Sequence, residues 1–329
     1  MRLIAAIAAL ILLPTLALAG PTYDDPEQAA KNDPDFLLQG EYVGSFTTSE
    51  GDQTYGVQVI ALGQGKFRAV GYFGGLPGAG WNGQPKIESE GAAQGGQVIF
   101  QAELGRGVLH DGVIELQDAN GNQVGELKKI ERKSDTLGQR PPAGAKVLFD
   151  GSPESLANWK NGQRTDDGLL KQGTTSVATF GDHTLHLEFR TPYQPQDRGQ
   201  GRGNSGVYLQ GRYEVQVLDS FGLSGEQNEC GGIYSVKKPD VNMCLPPLTW
   251  QTYDIDYTAA RYNDQGELVA NPRITVRHNG VVIHNNVELP GNRNTTAAPV
   301  AAGPENGPLY LQDHGNPVRY RNIWVVEKN

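Results

Sequence analysis

Two glutamates lie in segments whose side chains alternate between two faces. In Thr184-Leu185-His186-Leu187-Glu188-Phe189-Arg190, the leucines and Phe189 share one face; His186, Glu188 and Arg190 share the other. In Tyr213-Glu214-Val215-Gln216-Val217-Leu218, Tyr213, Val215 and Val217 point one way and Glu214 and Gln216 the other. Leu309 to His314 repeats the pattern, with Tyr310, Gln312 and His314 opposite the leucines. In the last such segment, Arg319, Arg321 and Ile323 alternate with Val318, Tyr320 and Asn322. Carboxylates, amides, imidazole and guanidinium gathered on polar faces suit a ligand rich in hydroxyls, such as a sugar. Glu188 and Glu214 are the residues suited to general acid or base work. His314 could polarise a carbonyl, shuttle a proton or bind a metal. From the strands alone, a salt bridge or solvated carboxylate is the commoner role for either glutamate, and Arg321 reads first as a pairing partner.

The elements that must position these residues are β-strands. Each alternating segment has one apolar face to bury, and two such sheets face to face make a sandwich or jelly roll. The chain has 329 residues with 43 Gly and 20 Pro, which suits two domains of short strands and tight turns. Residues 20–38 are polar and read as a flexible lead-in. Residues 39–133 carry short β-like runs, such as Tyr42 to Phe46, Gly56 to Ile60 and Lys66 to Val70, and read as a small antiparallel β domain. Residues 134–144 read as a linker by composition, and residues 145–329 as the jelly roll, so the expected class is all-β. Gly74 to Gly80 looks like a phosphate loop but lacks the Lys-Ser/Thr pair and reads as a glycine-rich surface loop.

Arg2, the apolar run Leu3 to Leu13, Pro14 and Ala17-Leu18-Ala19 form a signal-peptide pattern over residues 1–19, so export to the periplasm or outside the cell is expected. No other stretch is apolar enough to span a membrane. The net charge of -9 repels phosphate backbones and argues against nucleic acid as a partner. In an exported chain Cys230 and Cys244 are expected to form a disulfide, closing a loop of about 15 residues. The sequence requires no cofactor. A divalent metal is possible, because Glu, His and Asp suit a hard cation, yet no segment has metal-loop spacing.

Several pieces in shared order resemble the 3-keto-disaccharide hydrolase family, a concanavalin A-like jelly roll. They include Val147-Leu148-Phe149-Asp150-Gly151, Leu187-Glu188-Phe189-Arg190, Asn204-Ser205-Gly206-Val207-Tyr208 and Tyr213 to Asp219. Gly232-Ile233-Tyr234, Trp250 to Ile255 and Leu311-Gln312-Asp313-His314-Gly315 with Arg321-Asn322-Ile323-Trp324 follow. The resemblance covers about Ala145 to Asn329 and implies an enzyme that cleaves 3-keto-glycosides. A C3 ketone acidifies the C2 proton, so cleavage can run by elimination across C1–C2 or by hydrolysis. The resemblance favours Glu188, Glu214 and His314 as catalytic residues. Asn204, Tyr208, Gln216, Asp219, Tyr234, Gln312 and Arg321 are the expected sugar-binding groups, although Asp219 reads equally as a turn residue. The alternative is a lectin-like protein that holds glycan on the same face without catalysis.

Overall fold

The computed structural model describes residues 20–49, 51–103 and 105–328. The expected signal peptide, residues 1–19, lies outside them. The fold is all-β apart from two short helices and brief helical turns.

The lead-in is not flexible coil. It forms the helices Pro26–Asn32 and Pro34–Leu38. Both open with Asp-Pro: Asp25 accepts from Gln28 N at 2.8 Å and Asp33 from Asp35 N at 3.0 Å, with proline in the first turn where no amide is needed.

Among the described residues, eight strands follow: β1 (Gly40–Thr48), β2 (Gly51–Gly63), β3 (Lys66–Phe73), β4 (Ile87–Gln94), β5 (Gln97–Ala102), β6 (Gly105–His110), β7 (Val113–Asp118) and β8 (Gln123–Ile130). Each pairs antiparallel with the next, and β8 returns to β1 with Leu127 opposite Gly44, closing an up-and-down barrel. Inward-facing Tyr42, Val59, Phe67, Val98, Leu109 and Leu127 fill one end. The second helix caps that end: Tyr42 Oη donates to Leu38 O (2.6 Å), Lys129 Nζ to Leu37 O (2.6 Å) and Gly65 N to Asp35 Oδ2 (2.8 Å).

The second domain is a sandwich. Its strands are β9 (Lys146–Phe149), β10 (Trp159–Lys160), β11 (Leu170–Lys171), β12 (Thr174–Phe180), β13 (His183–Arg190), β14 (Ser205–Leu209), β15 (Tyr213–Val217), β16 (Gln251–Thr258), β17 (Arg261–Tyr262), β18 (Leu268–Ala270), β19 (Arg273–His278), β20 (Val281–Glu288), β21 (Gly307–Leu311) and β22 (Arg319–Glu327). One sheet runs β10-β12-β21-β14-β15; the facing sheet runs β11-β22-β13-β16-β19-β20, with β9 also on β22. Leu185, Leu187, Phe189, Val207, Val215, Val217, Ile255, Leu309 and Leu311 meet between them, the inner faces that the alternation predicts. At roughly 25 cal/mol per Å², each such buried side chain contributes about 1.5–3 kcal/mol.

In β22 the alternation breaks. Asn322 takes a φ of 45°, and the pairing with β13 slips between His186 and Glu188. This bulge turns Arg321 and Asn322 outward together and returns Ile323 to the core.

The segment expected to be a linker is packed. Ser134 Oγ meets Thr252 Oγ1 at 2.6 Å, and Thr136 Oγ1 donates to Asp254 Oδ2 at 2.7 Å. The barrel and sandwich share one apolar cluster through Ile60, Val70, Tyr72 and Leu76. The Gly74–Gly80 turn is part of this joint rather than a free surface loop: a Cβ on Gly78 would fall 2.4 Å from Met243 Sδ.

Candidate active site

The strands β14 and β15 form an antiparallel pair with Gly206 opposite Gln216 and Tyr208 opposite Glu214. β21 pairs with β14, setting Tyr310 beside Tyr208. Alternation therefore places Gly206, Tyr208, Glu214 and Gln216 as neighbours on the outer face of the five-stranded sheet. The polar face is not left open to solvent. The segment around Thr295 to Ala297 roofs it: Thr295 Oγ1 accepts from Glu214 N at 2.9 Å, and Thr296 O lies 3.1 Å from Tyr208 Oη. What remains is a pocket of about 150 Å³ that brings together Asn204, Tyr208, Glu214, Gln216, Tyr234, Gln312 and His314 with Gln200, Thr296 and Ala297.

Glu214 is 3 % exposed. Burial pushes its carboxyl up to about 8, and the Tyr208 hydroxyl, donating to Oε2 at 2.8 Å, offsets only part of that cost. Among the described residues no other group donates to this carboxylate. Its other oxygen lies over Gly206, where a Cβ would fall 2.1 Å from Oε1, so the glycine makes the space that the carboxylate occupies. Gln312 Nε2 donates to Tyr208 Oη at 3.2 Å and holds the phenol from the far side.

The amides form a second line. Gln216 Nε2 donates to Asn204 Oδ1 at 3.1 Å, and Asn204 Nδ2 donates to Gln200 O at 2.8 Å. Gln216 Oε1 is buried without a donor among the described residues, which costs about 1–3 kcal/mol unless a ligand supplies one. Tyr234 is half-buried and offers a ring to the pocket, while His314 is exposed at its mouth, in the bend after β21.

Glu188, Arg321 and Asp219 do not join this pocket. Glu188 is on the facing sheet, with its side chain on that sheet's outer face beneath the packed 134–144 segment. Burial would raise its pKa, but His186, Asn322, Gly138 N and Arg321 stabilise the charge more strongly, and the carboxyl is held at about 2. Gly138 N donates to Oε1 at 2.6 Å, Arg321 Nε to Oε2 at 2.6 Å and Asn322 Nδ2 to Oε1 at 2.9 Å. His186 bridges onward to Asp254 at 2.6 Å and stacks on Trp324. Glu188 is thus a fixed anion, poorly suited to proton transfer. Arg321 pairs with it and lies over Trp250 at 3.9 Å. Asp219 is 4 % exposed and accepts from Arg202 Nε at 2.6 Å, a structural ion pair.

Cys230 and Cys244 are buried free thiols, not a disulfide. Cys230 Sγ sits 3.2 Å from Tyr253 Oη, and Cys244 Sγ points toward Leu218 O at 3.5 Å. Among the described residues no group of three or more His, Cys, Asp or Glu is arranged to hold a metal ion.

Sequence reasoning missed Gln200, Thr296 and Ala297. Gln200 lies in the glycine-rich segment Arg198 to Gly203, which reads as a mobile loop. It is instead pinned by Arg198 to Leu62 O (2.9 Å) and by Gln200 Nε2 to Asn228 O (2.8 Å). Thr296 and Ala297 sit in a patternless stretch between β20 and β21, and no sequence signal marks them.

Comparison with known proteins agrees with this architecture. Residues 144–326 match the 3-keto-alpha-glucoside-1,2-lyase-like domain. The chain is similar to the crystal structure of a candidate glycosyl hydrolase from Parabacteroides distasonis ATCC 8503, at 34% identity and a TM-score of 0.51 over 57% of this chain and 85% of that one. A second such structure from the same organism aligns at 18% identity and a TM-score of 0.41, over 56% of this chain and 94% of that one. No curated protein matches the chain. With more than half of its length matched, the chain belongs to the 3-keto-alpha-glucoside-1,2-lyase-like domain family.

Proposed function

We propose that this chain is an exported enzyme that cleaves the glycosidic bond of 3-keto-glycosides by elimination across C1–C2, with Glu214 as the base. The signal-peptide pattern of residues 1–19 supports export. The observation that carries the mechanism is the solitary, raised carboxyl of Glu214 in a pocket otherwise lined by amides, phenols, one imidazole and the Thr296–Ala297 turn. Hydrolysis of an ordinary glycoside usually takes two carboxylates about 5–9.5 Å apart. Here the other expected glutamate is on the facing sheet and locked as an anion. Elimination needs one base and hydrogen-bond donors for an oxyanion.

In this reading the C3 ketone acidifies C2–H. Ionised Glu214 takes that proton, and its electrons form the C2–C3 enolate. The enolate then re-forms the ketone as C1=C2 forms, and the C1–O bond breaks. The departing C1 oxygen takes up the proton that Glu214 removed, which restores the carboxylate, so the products are an enone and the free alcohol and no water is added. Gln312 and His314 are the N–H donors assigned to the developing C3 oxyanion. Gln216 Oε1, lacking a protein donor, accepts from a sugar hydroxyl, and Tyr234 packs on the apolar ring face.

The test is product identity. The purified protein is incubated with matched glucosides and 3-keto-glucosides, with and without chelator, and followed by ultraviolet absorbance and NMR. The conjugated enone is expected from the 3-keto substrates alone. A saturated 3-keto-sugar as the first product would replace elimination by hydrolysis. Binding without turnover of either substrate would favour the lectin alternative.

A further inference from the structure

We propose that the open end of the N-terminal barrel is a second binding site, for a single phenolic ring. The barrel interior is filled unevenly. Large inward residues and the second helix close one end. Toward the other end the inward positions turn small: Ala69, Gly71, Ser89, Ala102 and Gly107. They leave an apolar cavity of about 210 Å³ open to solvent. An apolar cavity of about 150 Å³ already admits benzene, and eight-stranded barrels are wide enough to hold one small ligand.

Two observations narrow the ligand class. First, Phe46, Tyr55 and Phe73 line the mouth as a set of rings 5.3–6.2 Å apart and inclined by 57–77°, an arrangement that receives another ring by edge or offset contact. Second, Tyr55 is 8 % exposed as a residue, and its hydroxyl, which makes no hydrogen bond to another described residue, opens on the cavity. It lies against Gly71, where a Cβ would fall 1.8 Å from Oη, so the phenol projects across the inward face of β3. A hydroxyl that opens on an otherwise apolar cavity marks the place where a ligand hydroxyl would hydrogen-bond. Both features select an aromatic alcohol over a saturated chain.

Calorimetric titration of the intact mature chain with p-cresol, toluene and octanoate tests this. We expect p-cresol to bind more tightly than toluene or octanoate. Tyr55→Phe should weaken p-cresol about fivefold, the effect of one hydrogen bond, and leave toluene unchanged. Ala69→Leu fills the cavity and should weaken both rings at least about tenfold. Turnover of 3-keto-glucosides should stay at the wild-type level in both variants, which separates this site from the sandwich pocket. Absence of p-cresol binding, tighter binding of octanoate, or unchanged p-cresol affinity in Tyr55→Phe would each overturn the proposal. The conservative Tyr55→Phe exchange keeps the test decisive if Ala69→Leu fails to fold.

Discussion

Gly206→Ala is the smallest change that tests whether the position of the Glu214 carboxylate matters. Gly206 lies in β14 directly across from Gln216, and its backbone is not in the left-handed region, so alanine introduces no backbone strain. The added methyl would sit 2.1 Å from Glu214 Oε1 and 2.8 Å from Cδ, whereas ordinary contact begins at 3.4 Å. The carboxylate must therefore move by about 1.3 Å, since the strand pair holds the backbone on both sides. A misplacement of about 1 Å at a reacting group costs on the order of 100-fold in rate. Overpacking of this kind costs about 1–3 kcal/mol of stability, which a folded domain tolerates. The assay is turnover of a 3-keto-glucoside by enone absorbance, alongside thermal unfolding to show that the variant is folded. We expect kcat to fall about 100-fold with a modest loss of Tm. A folded Gly206→Ala protein that turns over within about threefold of wild type would refute the assignment of Glu214 as the reacting base.

Glu188→Gln should instead be a stability variant: breaking a buried ion pair costs about 3–5 kcal/mol, read as a lower Tm at pH 7, while kcat per folded molecule stays at the wild-type level. Because the folded pKa of Glu188 is depressed to about 2, its contribution is present above the unfolded carboxyl value of about 4.5 and is lost as pH falls toward 2, so the Tm gap between wild type and variant should close across that window. Thiol titration in denaturant should find two reactive thiols per chain, and a reductant should leave Tm unchanged; a fall of several degrees on reduction would instead reveal a Cys230–Cys244 bond.

The sandwich was readable because period-2 alternation is a local signal. Leu185, Leu187 and Phe189, or Val215 and Val217, announce their face in a few residues. Alternation also sorted Glu214 with Gln216 and Gln312 with Tyr310. It does not say which sheet a strand joins, and so Glu188 and Glu214 look equivalent in sequence while lying on opposite outer faces. The bulge at Asn322 was hidden for a similar reason: one residue in the left-handed region resets the parity of β22, and nothing in Arg-Asn-Ile marks it. Barrel closure rests on β1 meeting β8, a pairing of distant segments that no local pattern encodes. β4, Ile-Glu-Ser-Glu-Gly-Ala-Ala-Gln, has poor strand propensity and is held by its neighbours on both sides. The Asp-Pro starts of the two helices were legible cap signals, and the polar composition around them obscured that reading.

In the proposed reaction one carboxyl, Glu214, with its pKa raised to about 8, removes the C2 proton. The direct measurement is kcat/KM for a 3-keto-glucoside from pH 5 to pH 10 in wild type and Glu214→Gln. We expect a wild-type rate that climbs with pH as the carboxyl ionises and levels off above about 8, and a loss of about 10²–10⁴-fold in a folded Glu214→Gln protein with substrate binding retained. Activity in Glu214→Gln within tenfold of wild type, with the same pH profile, would contradict it.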